Sequence, residues 1–280
     1  MTAFELPLVG AGGEPVDLPR TLASHGVASL PPNAVDEEAW TLTTTLPQGR
    51  VLVGEARAGT AAVELDGDAE GALATLRRML VLDEDLSPFY ARVDGDPELA
   101  WVTRGAGRML RSPTVFEDVV KTICTTNCAW SATERMVGAL VGELGGGTFP
   151  TPAAMAEAPD SFYAEVVRAG YRGPYLRSLA AGVATGAIDL EALLDPELSD
   201  DEAEARPMAL PGVGPYACAH AMMLVGRYRR LILDSWTRPK YARVVGRKAK
   251  DATIERRFRR YREYAGLAFW LFITRDWVDD

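Results

Sequence analysis

The chain has 280 residues, 48% of them hydrophobic, which is enough for one large or two modest domains with a substantial core. Its three cysteines, Cys124, Cys128 and Cys218, are too few for a disulfide framework and favour a reducing compartment. Residues 1–20 lack the basic start and apolar run of a secretory signal, and no stretch approaches the roughly 18 apolar residues of a membrane span. We therefore expect a cytoplasmic protein without membrane contact.

The charge of the chain is unevenly distributed. Thirty basic and 39 acidic residues give a net charge of −9, yet fourteen Arg and Lys and only four Asp and Glu lie between Gly226 and Glu263. A basic segment of this kind on an acidic background is typical of phosphate contact. The alternative is a solvated helix face with charge pairs. The run Arg256–Arg262 has few acids near it in sequence, which favours phosphate contact.

The first 95 or so residues have the pattern of a β-rich part. Short alternating runs at Trp40–Leu46, Arg50–Gly54 and Thr60–Leu65 are separated by turn residues. They predict an antiparallel sheet, and Ala69–Leu80 predicts one helix packed on it. We assign no chemistry to this part and expect a structural role.

From Arg111 onwards the pattern becomes helical. Ser112 is a suitable N-cap and Pro113 a suitable first residue for a helix that places Phe116 and Ile123 on one face. Further helices are predicted at Trp130–Leu144, Thr151–Glu157, Ser161–Arg168, Pro174–Thr185, Asp189–Leu194 and Thr253–Asp276. The predicted fold class is α+β, with a β-rich domain at 1–104 and a mostly α-helical domain at 105–280.

The stretch Leu210–Ala217, Leu-Pro-Gly-Val-Gly-Pro-Tyr-Ala, predicts a tight hairpin followed by a helix that begins at Pro215. The free N–H groups of such a helix start can hold a phosphate, although a glycine-rich turn without a ligand has the same pattern. Asp234 follows the apolar run Leu231–Leu233. A fixed carboxylate there could stabilise positive charge or activate water, or it could simply cap the next helix.

The hairpin and the following Asp resemble the helix-hairpin-helix (HhH-GPD) DNA glycosylase superfamily, in its alkyl-purine and 8-oxoguanine branches. The resemblance covers about residues 105–280, and those branches also carry a β-rich N-terminal domain. It implies that the hairpin residues Gly212, Val213 and Gly214 grip the DNA backbone. It further implies that Asp234 is the catalytic carboxylate. A monovalent cation at the hairpin backbone near Gly212 and Gly214 is compatible with it; no cofactor and no metal held by side chains are implied.

The same resemblance implies a base pocket formed by Tyr216, His220, Phe269 and Trp270. Tyr216 stands where lyase-type members carry a Schiff-base lysine, so a monofunctional glycosylase without lyase activity is expected. Phe269 stands where the 8-oxoguanine branch has a glutamine that reads the lesion. Because aromatic faces attract cationic rings, the expected lesion is an alkylated purine, with 8-oxoguanine as the alternative. For Tyr216 and His220, ordinary packing remains an alternative.

Two segments resemble the parts of the 8-oxoguanine branch that contact the opposite strand. Asn127, in Cys-Thr-Thr-Asn-Cys, would enter the space left by a flipped base. Tyr171 would wedge into the base stack, and Arg172 would contact the widowed base, which is the base that the flipped one leaves unpaired on the opposite strand. A helix C-cap at Asn127 and helix packing at Tyr171 are the structural alternatives.

The resemblance also implies the binding partner. We expect a monomer that binds double-stranded DNA containing a damaged base, with Arg238, Lys240 and Arg243 contacting phosphates. If the source is bacterial, such a protein is expected to associate with the nucleoid. The competing hypotheses are a non-catalytic helix-hairpin-helix DNA-binding protein and a small-molecule enzyme with an acidic site at Asp234.

Overall fold

The computed structural model describes residues 1–278 and begins with an antiparallel sheet of five strands in the order β1-β5-β4-β3-β2. The strands are β1 (Thr2–Pro7), β2 (Ala34–Asp36), β3 (Thr41–Leu46), β4 (Gly49–Arg57) and β5 (Thr60–Gly67). The three strands predicted from alternation are confirmed as β3, β4 and β5. The edge strands β1 and β2 were not predicted.

One face of the sheet is buried. Along β4 and β5, Val51, Val53, Val63 and Leu65 are fully buried, while their neighbours in sequence are exposed or, at Gly54, half-buried. Two helices cover this face, α1 (Leu18–Leu22) and the predicted α2 (Ala69–Met79). The period of two in the sequence therefore corresponds to one apolar and one solvated face.

Ten further α-helices follow within residues 1–278: α3 (Ser87–Val93), α4 (Val115–Thr125), α5 (Trp130–Ala139), α6 (Pro152–Glu157), α7 (Gly173–Ala184), α8 (Asp200–Met208), α9 (Pro215–Leu224), α10 (Thr237–Val245), α11 (Asp251–Phe258) and α12 (Ala265–Thr274). This confirms the α+β class. None of the helices in the described chain is long and apolar enough to cross a membrane. The boundary at 104/105 stays a prediction.

The predicted start of α4 was wrong by two residues. Thr114 is the N-cap, and its side chain accepts a hydrogen bond from the Glu117 N–H. Ser112 instead donates its own N–H to the Asp118 carboxylate, at 2.9 Å. A hydroxyl therefore caps α4 as predicted, but it is that of Thr114, and Ser112 lies outside the helix.

The long helix predicted at Thr253–Asp276 was also wrong, because it is two helices, α11 and α12. Arg262, with φ at 53°, interrupts the helical conformation between them. The Gly266 N–H donates to the Tyr228 carbonyl at 2.7 Å, and a Cβ at Gly266 would overlap the Arg230 carbonyl. A crossing segment distant in sequence thus fixes where α12 begins.

Helix α9 lies between the two helical cores. Its residues Ala217 and Met222 belong to the core around α4, α5 and α7, whereas Ala219 and Met223 pack against the core around α3, α11 and α12. Burial on both sides holds the helix rigidly and places its first turn at the junction of the two cores.

Candidate active site

A cleft of about 1010 Å³ opens at this junction. It lies between the first turn of α9, the loop before α10, the end of α12 and the turn after α4. Most of the residues singled out in the sequence line it, namely Asn127, Tyr171, Gly212, Gly214, Tyr216, His220, Asp234 and Trp270. Segments more than 100 residues apart in sequence therefore meet around one space.

Asp234 both caps α10 and faces the cleft. Its Oδ1 accepts hydrogen bonds from the N–H groups of Trp236 (2.8 Å) and Thr237 (2.6 Å), while its own N–H donates to Thr237 Oγ1 at 2.9 Å. The capping interpretation and the catalytic one are thus compatible. Capping occupies one carboxylate oxygen and leaves Oδ2 without a protein partner in the described chain.

Tyr216 presents a neutral hydroxyl near Asp234. Its Oη lies 3.2 Å from Thr125 Oγ1, and Thr125 donates to the Thr122 carbonyl at 2.7 Å. Because Thr125 has only one hydroxyl proton, Tyr216 is the donor in this pair. Burial raises the pKa of Tyr216, and the charge of Asp234 raises it further. Among the residues that line the cleft in the described chain there is no lysine.

The two histidines of the chain lie against each other, and His220 lines the cleft. The rings of His220 and His25 are 5.5 Å apart, and His25 Nε2 lies 2.8 Å from the Leu110 carbonyl. Burial lowers the pKa of His220 to about 4 and that of His25 to about 3, so both rings are neutral at pH 7. Neither ring nitrogen of His220 has a hydrogen-bond partner within residues 1–278. Sequence reasoning missed His25, for which no local pattern exists.

Four of the six tryptophans, Trp130, Trp236, Trp270 and Trp277, line the cleft. Trp236 lies 5.8 Å from Trp270 and 5.6 Å from Trp277 between ring centroids, and Trp270 donates its indole N–H to the Ser24 carbonyl. Of these four, sequence reasoning assigned only Trp270 to the pocket. The indole rings of these residues therefore form an aromatic surface of the cleft that itself offers few hydrogen-bonding groups.

The placement of Phe269 in the pocket was wrong. Its ring is fully buried and packs 5.3 Å from Phe258 and 6.2 Å from Tyr241, away from the cleft. Successive residues of a helix point about 100° apart, so Trp270 faces the cleft while Phe269 faces the core.

The turn after α4 forms a second edge of the cleft. Asn127 has φ 47°, and its amide donates to the Tyr171 hydroxyl at 3.2 Å. Tyr171 is 53% exposed, but Arg172 is only 6% exposed. The guanidinium of Arg172 donates to the Thr126 carbonyl and stacks 4.6 Å from the centre of the Tyr171 ring. In this structure the three guanidinium nitrogens of Arg172 all donate to protein, and its contact with a widowed base stays a prediction.

The predicted hairpin is present between α8 and α9. Gly212 has φ 83°, and a Cβ there would lie 2.7 Å from the Tyr175 ring. Hydrogen bonding in α9 starts with Cys218 N–H to the Gly214 carbonyl, which leaves the N–H groups of Tyr216 and Ala217 without a partner in the described chain. Such open N–H groups favour an anion. Within residues 1–278 no group of acidic, His and Cys side chains could hold a metal.

The basic segment is only partly free. Seven of its fourteen cations form ion pairs in the described chain: Arg227, Arg229, Arg230, Arg238, Lys240, Arg257 and Arg260. Arg238 binds Asp251, and Lys240 binds Asp276 at 2.6 Å, whereas Arg243 has no ion pair within the described residues. The charge-pair interpretation therefore holds for half of the segment.

The fold resembles those of solved DNA glycosylases. The apo 8-oxoguanine glycosylase/lyase of Clostridium acetobutylicum gives a TM-score of 0.76 at 18% identity, covering 98% of this chain and 96% of that one. In complex with double-stranded DNA containing cytosine opposite 8-oxoG, the same enzyme gives 0.71 at 19%, covering 93% and 92%. The 3-methyladenine DNA glycosylase of Archaeoglobus fulgidus gives 0.70 at 21%, covering 98% and 99%.

No family model matches the sequence, and no curated protein matches it. The chain therefore shares its fold with these solved DNA glycosylases over almost its whole length.

Proposed function

We propose that the protein is a monofunctional DNA glycosylase that hydrolyses the N-glycosidic bond of a damaged purine flipped into the cleft. The observation that carries this proposal is the geometry of Asp234. One carboxylate oxygen is fixed by the start of α10, the other has no hydrogen-bond partner in the described chain, and the residue lines an aromatic cleft beside the hairpin. The likeness to two kinds of DNA glycosylase adds support at the level of the fold.

The chemistry follows from this arrangement. As the bond between C1′ and the base nitrogen breaks, its electron pair leaves with the base and positive charge develops on the sugar. The Asp234 carboxylate stabilises that charge, water adds to C1′, and the carboxylate or solvent accepts the proton that water loses. Tyr216 has no amine with which to form a Schiff base, so the abasic strand stays uncut.

The walls of the cleft favour an alkylated purine. N-alkylation makes the purine cationic, and a cationic ring gains roughly 0.5–2 kcal/mol against aromatic faces such as Trp236 and Trp270. His220 and His25 are neutral at pH 7, so they do not repel the charge. An alkylated base also leaves as a neutral molecule and needs little protonation.

A second candidate lesion is 8-oxoguanine. The pairing of Asn127 with Tyr171 fits the opposite-strand contacts of that branch, and the fold likeness includes an 8-oxoguanine glycosylase/lyase. His220 could hydrogen-bond an oxidised base, because its ring nitrogens have no partner in the described chain.

Single-turnover base release decides between these lesions. The substrates are DNA methylated with dimethyl sulfate and a duplex carrying 8-oxoguanine opposite cytosine, each assayed with and without later alkali. We expect faster release from methylated DNA, and strand cleavage only after alkali. Faster release of 8-oxoguanine would refute the lesion assignment. Tight binding of lesion duplexes without release of any base would favour a non-catalytic DNA-binding protein.

A further inference from the structure

Arg172 is almost completely enclosed at the edge of the cleft. It is 6% exposed, and the exposed ring of Tyr171 covers its guanidinium at 4.6 Å. Beneath that ring, Arg172 lies against the turn that carries Asn127. An arginine that reads a base needs two guanidinium N–H groups free for two parallel hydrogen bonds to that base.

Each of the three guanidinium nitrogens of Arg172 donates one hydrogen bond to the protein instead. Nε donates to Thr126 Oγ1 at 3.3 Å, Nη1 to the Ala169 carbonyl at 3.4 Å and Nη2 to the Thr126 carbonyl. Thr126 directly precedes Asn127, whose left-handed backbone at φ 47° is uncommon for a residue with a side chain. Arg172 therefore fastens the Asn127 turn to the segment that carries Tyr171.

We propose that Arg172 is a positioning residue that presents Asn127 and Tyr171 together, and that the protein consequently discriminates little between bases opposite the lesion. The proposal rests on the proposed function only in taking damaged duplex DNA as the ligand. The two side chains left to meet the opposite strand are tolerant. An amide both donates and accepts hydrogen bonds, and a phenol ring stacks on any base.

Binding to four duplexes tests the proposal without requiring base release. Each duplex carries the abasic analogue tetrahydrofuran opposite A, C, G or T, and dissociation constants are measured by fluorescence anisotropy. For the wild type we expect the four constants to agree within about threefold. A preference of about tenfold or more for one opposite base would overturn the proposal.

The pattern of loss separates positioning from base reading. Arg172→Ala should weaken all four complexes by a similar factor, about tenfold, because Asn127 and Tyr171 both lose their alignment and a contact of about 1.4 kcal/mol corresponds to a factor of ten. Arg172→Lys should behave likewise, because an ammonium cannot reproduce the fork. Loss confined to one opposite base would show that Arg172 reads that base. Unchanged binding in both variants would also refute the positioning role.

Two controls exclude a general folding effect. Arg177 lies in α7, the helix that follows Arg172, and its Nη1 is 2.7 Å from Asp160 Oδ1. Arg177→Ala should leave all four dissociation constants unchanged. In the Asn127→Ala background, Arg172→Ala should weaken binding far less than in the wild type, because the residue it positions is gone. Full additivity would contradict the proposal. If the protein released no base, the glycosylase assignment would be refuted, but this binding test would still be valid. If abasic and undamaged duplexes bound equally well, the positioning role of Arg172 would be refuted.

Discussion

The sharpest prediction concerns the two oxygens of the Asp234 side chain. In Asp234→Asn the amide oxygen can still accept the N–H groups of Trp236 and Thr237, so the start of α10 keeps its cap. What the variant loses is the negative charge at the position of Oδ2. Removal of one preorganised electrostatic contact typically costs about a hundredfold or more in rate, or about 2.7 kcal/mol.

The comparison with Asp234→Ala separates charge from capping. The alanine variant loses both, so its rate should fall at least as far and its stability should drop by about 1 kcal/mol. The assays are single-turnover release from methylated DNA and chemical denaturation, with anisotropy to verify that duplex binding is retained. Base release by Asp234→Asn at a rate near that of the wild type would refute the catalytic assignment. Equal stability of Asp234→Ala and the wild type would refute the capping argument.

Three further predictions test neighbouring features. Because Tyr216 lacks an amine, borohydride should trap no covalent adduct on lesion DNA, and an adduct would reveal another amine. Replacing Arg243 and Arg247 by Gln should reduce the slope of log K for DNA binding against log salt concentration by about two. As a control, Arg257→Gln breaks the ion pair with Glu98, so it should lower stability and leave that slope unchanged. A flat plot for the wild type would exclude phosphate contact. Gly212→Ala should destabilise by more than about 1 kcal/mol, because its φ of 83° and the neighbouring ring oppose a Cβ; unchanged denaturation would contradict this.

Local chemistry was sufficient to predict much of this protein. Alternation along Thr60–Leu65 specifies a strand with one buried face, and Thr151 before Pro152 specifies the start of α6. The hairpin at Gly212 follows from the need for a positive φ and a close approach. Each of these features depends on residues within one or two turns of each other, which is why sequence alone reveals them.

Only the tertiary structure decided which side chains are available for function. Sequence spacing cannot tell that Phe269 faces the core while Trp270 faces the cleft, or that Arg257 is bound to Glu98, 159 residues away. Nor can it reveal that Thr126 accepts hydrogen bonds from two nitrogens of the Arg172 guanidinium, or that His25 lies against His220. The exposure, charge and hydrogen-bonding capacity of a side chain are set by the groups packed around it. In this fold those groups come from segments far apart in the chain.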